Sequence, residues 1–194
     1  MADNNNNNNP NNTLAGKKVA ILVTDGFEQA ELTGPKQALE AAGVITQIIA
    51  PKAGQVQGFN HTDKADTFAV DQTLADAAPE EFDAVLLPGG VQNADSLRTD
   101  EHARVFVQKI TRLQKPIAVI CHGAWLLVDA DLVRGKTLTS WPSLQVALQN
   151  AGATWVDEQV HVDGHLVSSR KPDDIPAFSE KFKEVLATNH PEPV

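Results

Sequence analysis

The chain has 194 residues, 42% hydrophobic and 21% charged, enough length and apolar content for one domain with a full core. Lys and Arg number 16 against 25 Asp and Glu, a formal charge of −9, which argues against nucleic acid and anionic membrane surfaces as partners. No apolar run approaches the roughly 20 residues of a membrane span, the N-terminus lacks an apolar signal region, and the single Cys121 excludes an internal disulfide. The expected setting is therefore reducing and cytoplasmic.

Residues 1–13 hold an asparagine tract, Asn4 to Asn9, with almost nothing to bury, and are expected to be a disordered tail before one domain over 14–194. Lys18 to Val23 is a short, β-branched apolar run that predicts a buried strand. Glu28 to Ala42 follows at helical spacing, with Gly34-Pro35 expected to kink or restart the helix and Gly43 to end it. Val44 to Ala50 predicts the second strand, and Gln55 to Val70 a hairpin or edge excursion. Asp83 to Leu87 is another buried strand, stopped by Pro88-Gly89-Gly90. Asp100 to Gln114 reads as an amphipathic helix with Thr99 as its N-cap. Pro116 to Ile120 is a further strand, running into Cys121-His122-Gly123 and then a helix over Ala124 to Ala130. Short strands are expected at Lys136 to Thr139 and Thr154 to Val156. Another pair, Gln159 to Val162 and His165 to Ser168, flanks the hairpin signal Asp163-Gly164. Ile175 to Ala187 closes the chain as an amphipathic helix.

Strands apolar on both faces, alternating with helices, predict an α/β fold with a mostly parallel sheet covered on both sides. Ligands of such sheets bind at the carboxyl ends of the strands. That rule selects Thr24 to Glu31, Pro88 to Asp95 and Cys121 to Gly123 together.

A free cysteine is most often a small buried hydrophobe. A cysteine at a strand-turn-helix junction, however, has the geometry of a nucleophile elbow, and helix amides aimed at the sulfur favour thiolate. His122 beside it is a candidate general base, and Gly123 permits close backbone approach. Glu28 and Glu31 are three residues apart on one helical face; both suit a helix N-terminus, and Glu31, protonated by burial, is the preferred donor to the sulfur. The Gly89 and Gly90 amides after Pro88, with that of His122, offer an oxyanion hole, while Asp95 has the plainer reading of a loop or cap residue. His61, His102, His161 and His165 read as inert. Neither a metal-ligand spacing nor a nucleotide-binding glycine loop is present, so no metal and no cofactor are expected.

The run AVICHGAWLL around Cys121 resembles the cysteine motif of the DJ-1/PfpI superfamily, in its PfpI-like intracellular protease and general stress protein branch. ILVTDGFEQAEL, FDAVLLPGG and VDEQVHVDGHLVSSRKPDDIPAF are similar to further phrases of that branch, and the likeness covers nearly all of Lys17 to Ala187. The resemblance implies a flavodoxin-like (class I glutamine amidotransferase-like) three-layer sandwich, and a homodimer or higher homo-oligomer. It implies Cys121 as nucleophile on strained backbone, Glu31 as the acid bonded to sulfur, His122 as its histidine partner, and the Gly90 and His122 amides as oxyanion hole. Asp95 would match an acid lent to a neighbouring subunit, although the loop here is one residue longer. Ala124 stands where many relatives have proline, and Trp141-Pro142-Ser143 alters the pocket rim. The implied activities are conversion of small aldehydes such as methylglyoxal, repair of glycated protein, intracellular peptide hydrolysis, or redox sensing through Cys121. Aldehyde chemistry asks for the fewest parts and is preferred; a scaffold with a vestigial site is the blandest alternative.

Overall fold

The computed structural model describes residues 13–189, so nearly all of the asparagine-rich segment expected to be disordered lies outside the described residues. Its elements in chain order are β1 (Lys18–Leu22), β2 (Phe27–Glu28), α1 (Gln29–Ala41), β3 (Ile45–Ala50), β4 (Gln55–Asn60), β5 (Asp63–Ala69) and β6 (Gln72–Thr73). Then come β7 (Ala84–Leu87), α2 (Val91–Thr99), α3 (Glu101–Arg112), β8 (Ile117–Ile120), α4 (Ala124–Asp129) and β9 (Thr137–Leu138). The chain closes with α5 (Gln145–Asn150), β10 (Thr154–Trp155), β11 (Val160–Asp163), β12 (Leu166–Ser169) and α6 (Ile175–Thr188).

Seven strands form one sheet in the order β11-β12-β8-β7-β1-β3-β6. All its pairings are parallel except the β11–β12 hairpin. Alternation along each strand divides the core in two, since successive side chains leave opposite faces. Val19 and Ile21, Ala84 and Leu86, and Ala118 and Ile120 pack with Leu32 and Leu39 of α1 and Phe178 and Phe182 of α6. Ala20 and Leu22, Val85 and Leu87, and Ile117 and Val119 pack with Phe106, Val107 and Ile110 of α3 and Leu126 and Leu127 of α4. This is the three-layer sandwich that the doubly apolar strands implied.

The chain leaves β1 toward β3 on one side, while β7, β8 and β12 fill the other. The sheet therefore changes direction beside β1, and the loops after β1, β7 and β8 meet at its carboxyl edge. Three expectations need correction. Gly34-Pro35 does not restart α1, which runs unbroken through Pro35. The missing proline N–H costs a bond to the Glu31 carbonyl. Close packing accompanies that loss, because a Cβ at Gly34 would lie 2.6 Å from Ile175 Cγ2 of α6. Thr99 does not cap α3: it ends α2, its hydroxyl donates to the Ser96 carbonyl, and Asp100 accepts from the Ala103 amide instead. Asp95, read as a loop or cap residue, lies in the body of α2.

Candidate active site

Cys121 follows the last residue of β8 and has φ +61°, the left-handed region that side chains other than glycine rarely occupy. Holding it there costs about 1–3 kcal/mol, which the packed turn Cys121–Gly123 must offset. The turn is tight because β7 passes beneath it; a Cβ on Gly123 would lie 2.6 Å from the Leu87 carbonyl oxygen. The reversed backbone brings Cys121 into the lining of a pocket of about 490 Å3, shared with Glu28, Glu31, Gly90, His61, Phe59, Trp141 and His122.

Glu31 reaches the sulfur from the first turn of α1. It is fully buried; Oε2 accepts from the Gly89 amide at 2.7 Å, and Oε1 has no hydrogen-bond partner within bonding geometry. Burial pushes this carboxyl up to about 8, with repulsion from Glu28 adding to the rise, against the opposing Gly89 amide and Cys121 contact. It therefore holds its proton at neutral pH, and Cys121 is the group electrostatically coupled to it. Glycine at 89 is what permits this approach, since a Cβ there would sit 2.5 Å from Oε2 and 2.8 Å from the Cys121 Cβ.

The sequence led us to expect a depressed thiol. The structure gives the opposite direction: burial raises Cys121, an ionised Glu31 would raise it further, and the His122 and Gly90 amides oppose them. The helix begins at Ala124, where the sequence places it, and the amides that meet the sulfur are those of His122 and Gly90 rather than its own. With Glu31 protonated, its repulsion vanishes and its O–H becomes a donor to sulfur. The resting thiol then needs a base nearby.

That base is in place geometrically. His122 Nδ1 lies 3.2 Å from Sγ. Desolvation lowers its pKa, so the ring is neutral at neutral pH. Its orientation comes from two tryptophans: Trp141 stacks on it at 5.9 Å and 25°, and Trp125 meets it edge-on at 5.5 Å. Arg98 lies over the Trp125 ring at 5.1 Å, and the Trp141 amide donates to the Cys121 carbonyl, tying the clamp to the elbow.

Two groups left aside in the sequence reading belong to this site. His61, read as inert, stands at the tip of the β4–β5 hairpin, where its amide donates to Glu28 Oε2 at 3.1 Å, and it lines the pocket. Pairing of β2 with β4 carries it there, a long-range contact with no local signature. Asn93, fully buried on α2, accepts from the Thr24 amide and donates to the Pro88 and Gly89 carbonyls, so it links the loops after β1 and β7. Asp95 is exposed on α2 and is not among the pocket-lining residues of its own chain. His102, His161 and His165 stand away from the pocket, and no cluster of three or more metal-ligating side chains occurs among the described residues. No helix among them is long and apolar enough to cross a membrane.

A strained cysteine at a strand-to-helix elbow, flanked by a buried acid and a histidine at the carboxyl edge of a mostly parallel sheet, defines a flavodoxin-like fold carrying a thiol site. The chain belongs to the DJ-1/PfpI family, whose model matches residues 17–185. An uncharacterized protein of Staphylococcus epidermidis is 44% identical over 172 residues, 88% of this chain and 98% of the relative. YraA of Bacillus subtilis, whose name provisionally makes it a cysteine protease, is 39% identical over 170 residues, with the same coverage. Among solved structures, Drosophila melanogaster DJ-1beta superposes with a TM-score of 0.81 at 27% identity, covering 90% of this chain and 92% of its own. A two-domain Anabaena variabilis protein with DJ-1/ThiJ/PfpI-like and ferritin-like domains gives 0.84 at 32% identity, over 92% of this chain and 50% of that one.

Proposed function

We propose that the chain is a cofactor-free, cysteine-dependent enzyme acting on reactive aldehydes such as methylglyoxal, free or as adducts on glycated protein. One observation carries this reading: a single sulfur has the His122 ring nitrogen at 3.2 Å and the fully buried Glu31 carboxyl coupled to it, with burial lowering the pKa of the first and raising that of the second. Two proton-carrying groups with separated pKa values are what an internal proton transfer requires.

The steps follow from that arrangement. His122 takes the thiol proton as Sγ bonds to the aldehyde carbon, and the proton returns to the carbonyl oxygen to give a hemithioacetal. The Gly90 and His122 amides, which meet the sulfur in the resting site, are the candidate donors to the oxygen while it carries charge. His122, neutral again, removes the hydrogen on the former aldehyde carbon as the ketone oxygen takes a proton, giving an enediol. The neighbouring carbon is then protonated as the first carbon's hydroxyl gives up its proton, leaving a thioester. Water cleaves the thioester, releasing the hydroxy acid and restoring the thiol. Glu31, as O–H donor, stabilises the sulfur anion whenever it forms.

Peptide hydrolysis is the second reading, favoured by the Cys121–His122 contact together with the name of YraA. The experiment is incubation with methylglyoxal and with an unstructured protein substrate, wild type beside Cys121→Ser. Lactate from the wild type alone supports the aldehyde reading. Folded wild type that cleaves the protein and forms no lactate replaces it with the peptidase.

A further inference from the structure

The pocket that Cys121 lines is much larger than methylglyoxal, whose only group beyond its carbonyls is a methyl. At about 490 Å3 it falls within the roughly 300–1,000 Å3 of pockets that take drug-sized ligands. Beyond Cys121 its walls include the apolar Phe59, Val91, Trp141 and Pro172, with the uncharged polar Thr62 and Gln92 and the His61 ring beside them. Val91 and Trp141 are 54% and 38% exposed in the single chain, large apolar side chains beside a reactive sulfur. Glu28 contributes a carboxyl, and no lysine or arginine lines the pocket among the described residues. A phosphate or carboxylate tail would therefore meet an acid and no strong cation. A neutral apolar tail would displace water from surfaces that gain by burial, at about 25 cal/mol per Å2.

We propose that this site, on the aldehyde reading above, is built for α-oxoaldehydes carrying a neutral, apolar, ring-sized substituent, which Phe59, Val91, Trp141 and Pro172 receive. The reaction balances internally. Water adds overall, the aldehyde carbon is oxidised to a carboxylate, the ketone carbon is reduced to a carbinol, and no external oxidant or reductant enters. Apolar contacts made to the substituent act on the transition state as on the ground state, so they appear in kcat/KM.

The test compares phenylglyoxal, read as mandelate, with methylglyoxal, read as lactate, on the full chain. The wild type is expected to prefer phenylglyoxal in kcat/KM by about tenfold or more, the order of discrimination that apolar contacts supply. Phe59→Ala should cut that preference severalfold. Val91→Ser, at a position half-exposed in the single chain, should cut it in the same direction, with a thermal melt checking that the variant folds. Methylglyoxal turned over as well as or better than phenylglyoxal overturns the substrate class and leaves the aldehyde reading standing. An unchanged ratio in both variants also overturns it. Failure to convert either aldehyde overturns the underlying reading, and the substrate class with it.

Discussion

Replacing Glu31 with glutamine should change how folding stability depends on pH. The wild-type carboxyl ionises near 4.5 when unfolded but holds its proton to about 8 when folded. Between those values the native state binds the extra proton, so this group's contribution is fully present below about pH 4.5 and is lost as pH rises through 8. Each unit of difference is worth about 1.4 kcal/mol, so the full loss is about 5 kcal/mol for this completely buried group. Glutamine keeps an acceptor for the Gly89 amide and carries no ionisable proton, so Glu31→Gln lacks this slope. Urea unfolding of both proteins from about pH 5 to about pH 9 reads the difference directly, because all other titrating groups are shared. Wild type should weaken relative to the variant at about 1.4 kcal/mol per unit until pH 8. A difference that stays flat across that range would refute a buried, protonated Glu31.

His122→Phe should keep the packing between Trp125 and Trp141 while lowering aldehyde turnover by about 100-fold or more, the usual worth of a general base. Because burial lowers the His122 pKa, its neutral form contributes stability above the ordinary value of 6.5 that is lost as pH falls. The phenylalanine variant should escape that acid-side loss in the same unfolding series. Cys121→Gly should be more stable than Cys121→Ala by about 1 kcal/mol in thermal melts, since only glycine relaxes at φ +61°. Equal stabilities would remove the strain argument. Asn93→Ala should cost about 1–3 kcal/mol by leaving the Thr24 amide and two carbonyls without this partner, and it should lower activity by loosening the loops around Gly89.

The sheet and its strand ends were legible because β1, β7 and β8 are buried on both faces, so each reads as an unbroken apolar run. Helix α2 was not legible. Its buried side chains are Asn93, Ala94 and Leu97, a weak stripe that looks like loop, and it hid the capping role of Asp100 behind Thr99. Cys121 and Glu31 were readable from their places after β8 and β1. The direction of the Cys121 pKa was not, because desolvation depends on what packs over the sulfur rather than on local sequence. Trp141 was expected at the pocket rim and lines the pocket, whereas His61 reaches it through the β2–β4 pairing, a contact that leaves no periodicity in the chain.

The assignment of a neutral His122 and a protonated Glu31 to one sulfur is tested most directly by the pH dependence of kcat/KM for methylglyoxal. That quantity reports ionisations of the free enzyme. In the wild type it should rise as His122 loses its proton and fall above about pH 8 as Glu31 ionises and repels the sulfur anion. In Glu31→Gln the alkaline fall should disappear. A wild-type profile that keeps rising past that pH, or a fall that persists unchanged in the variant, would contradict the assignment.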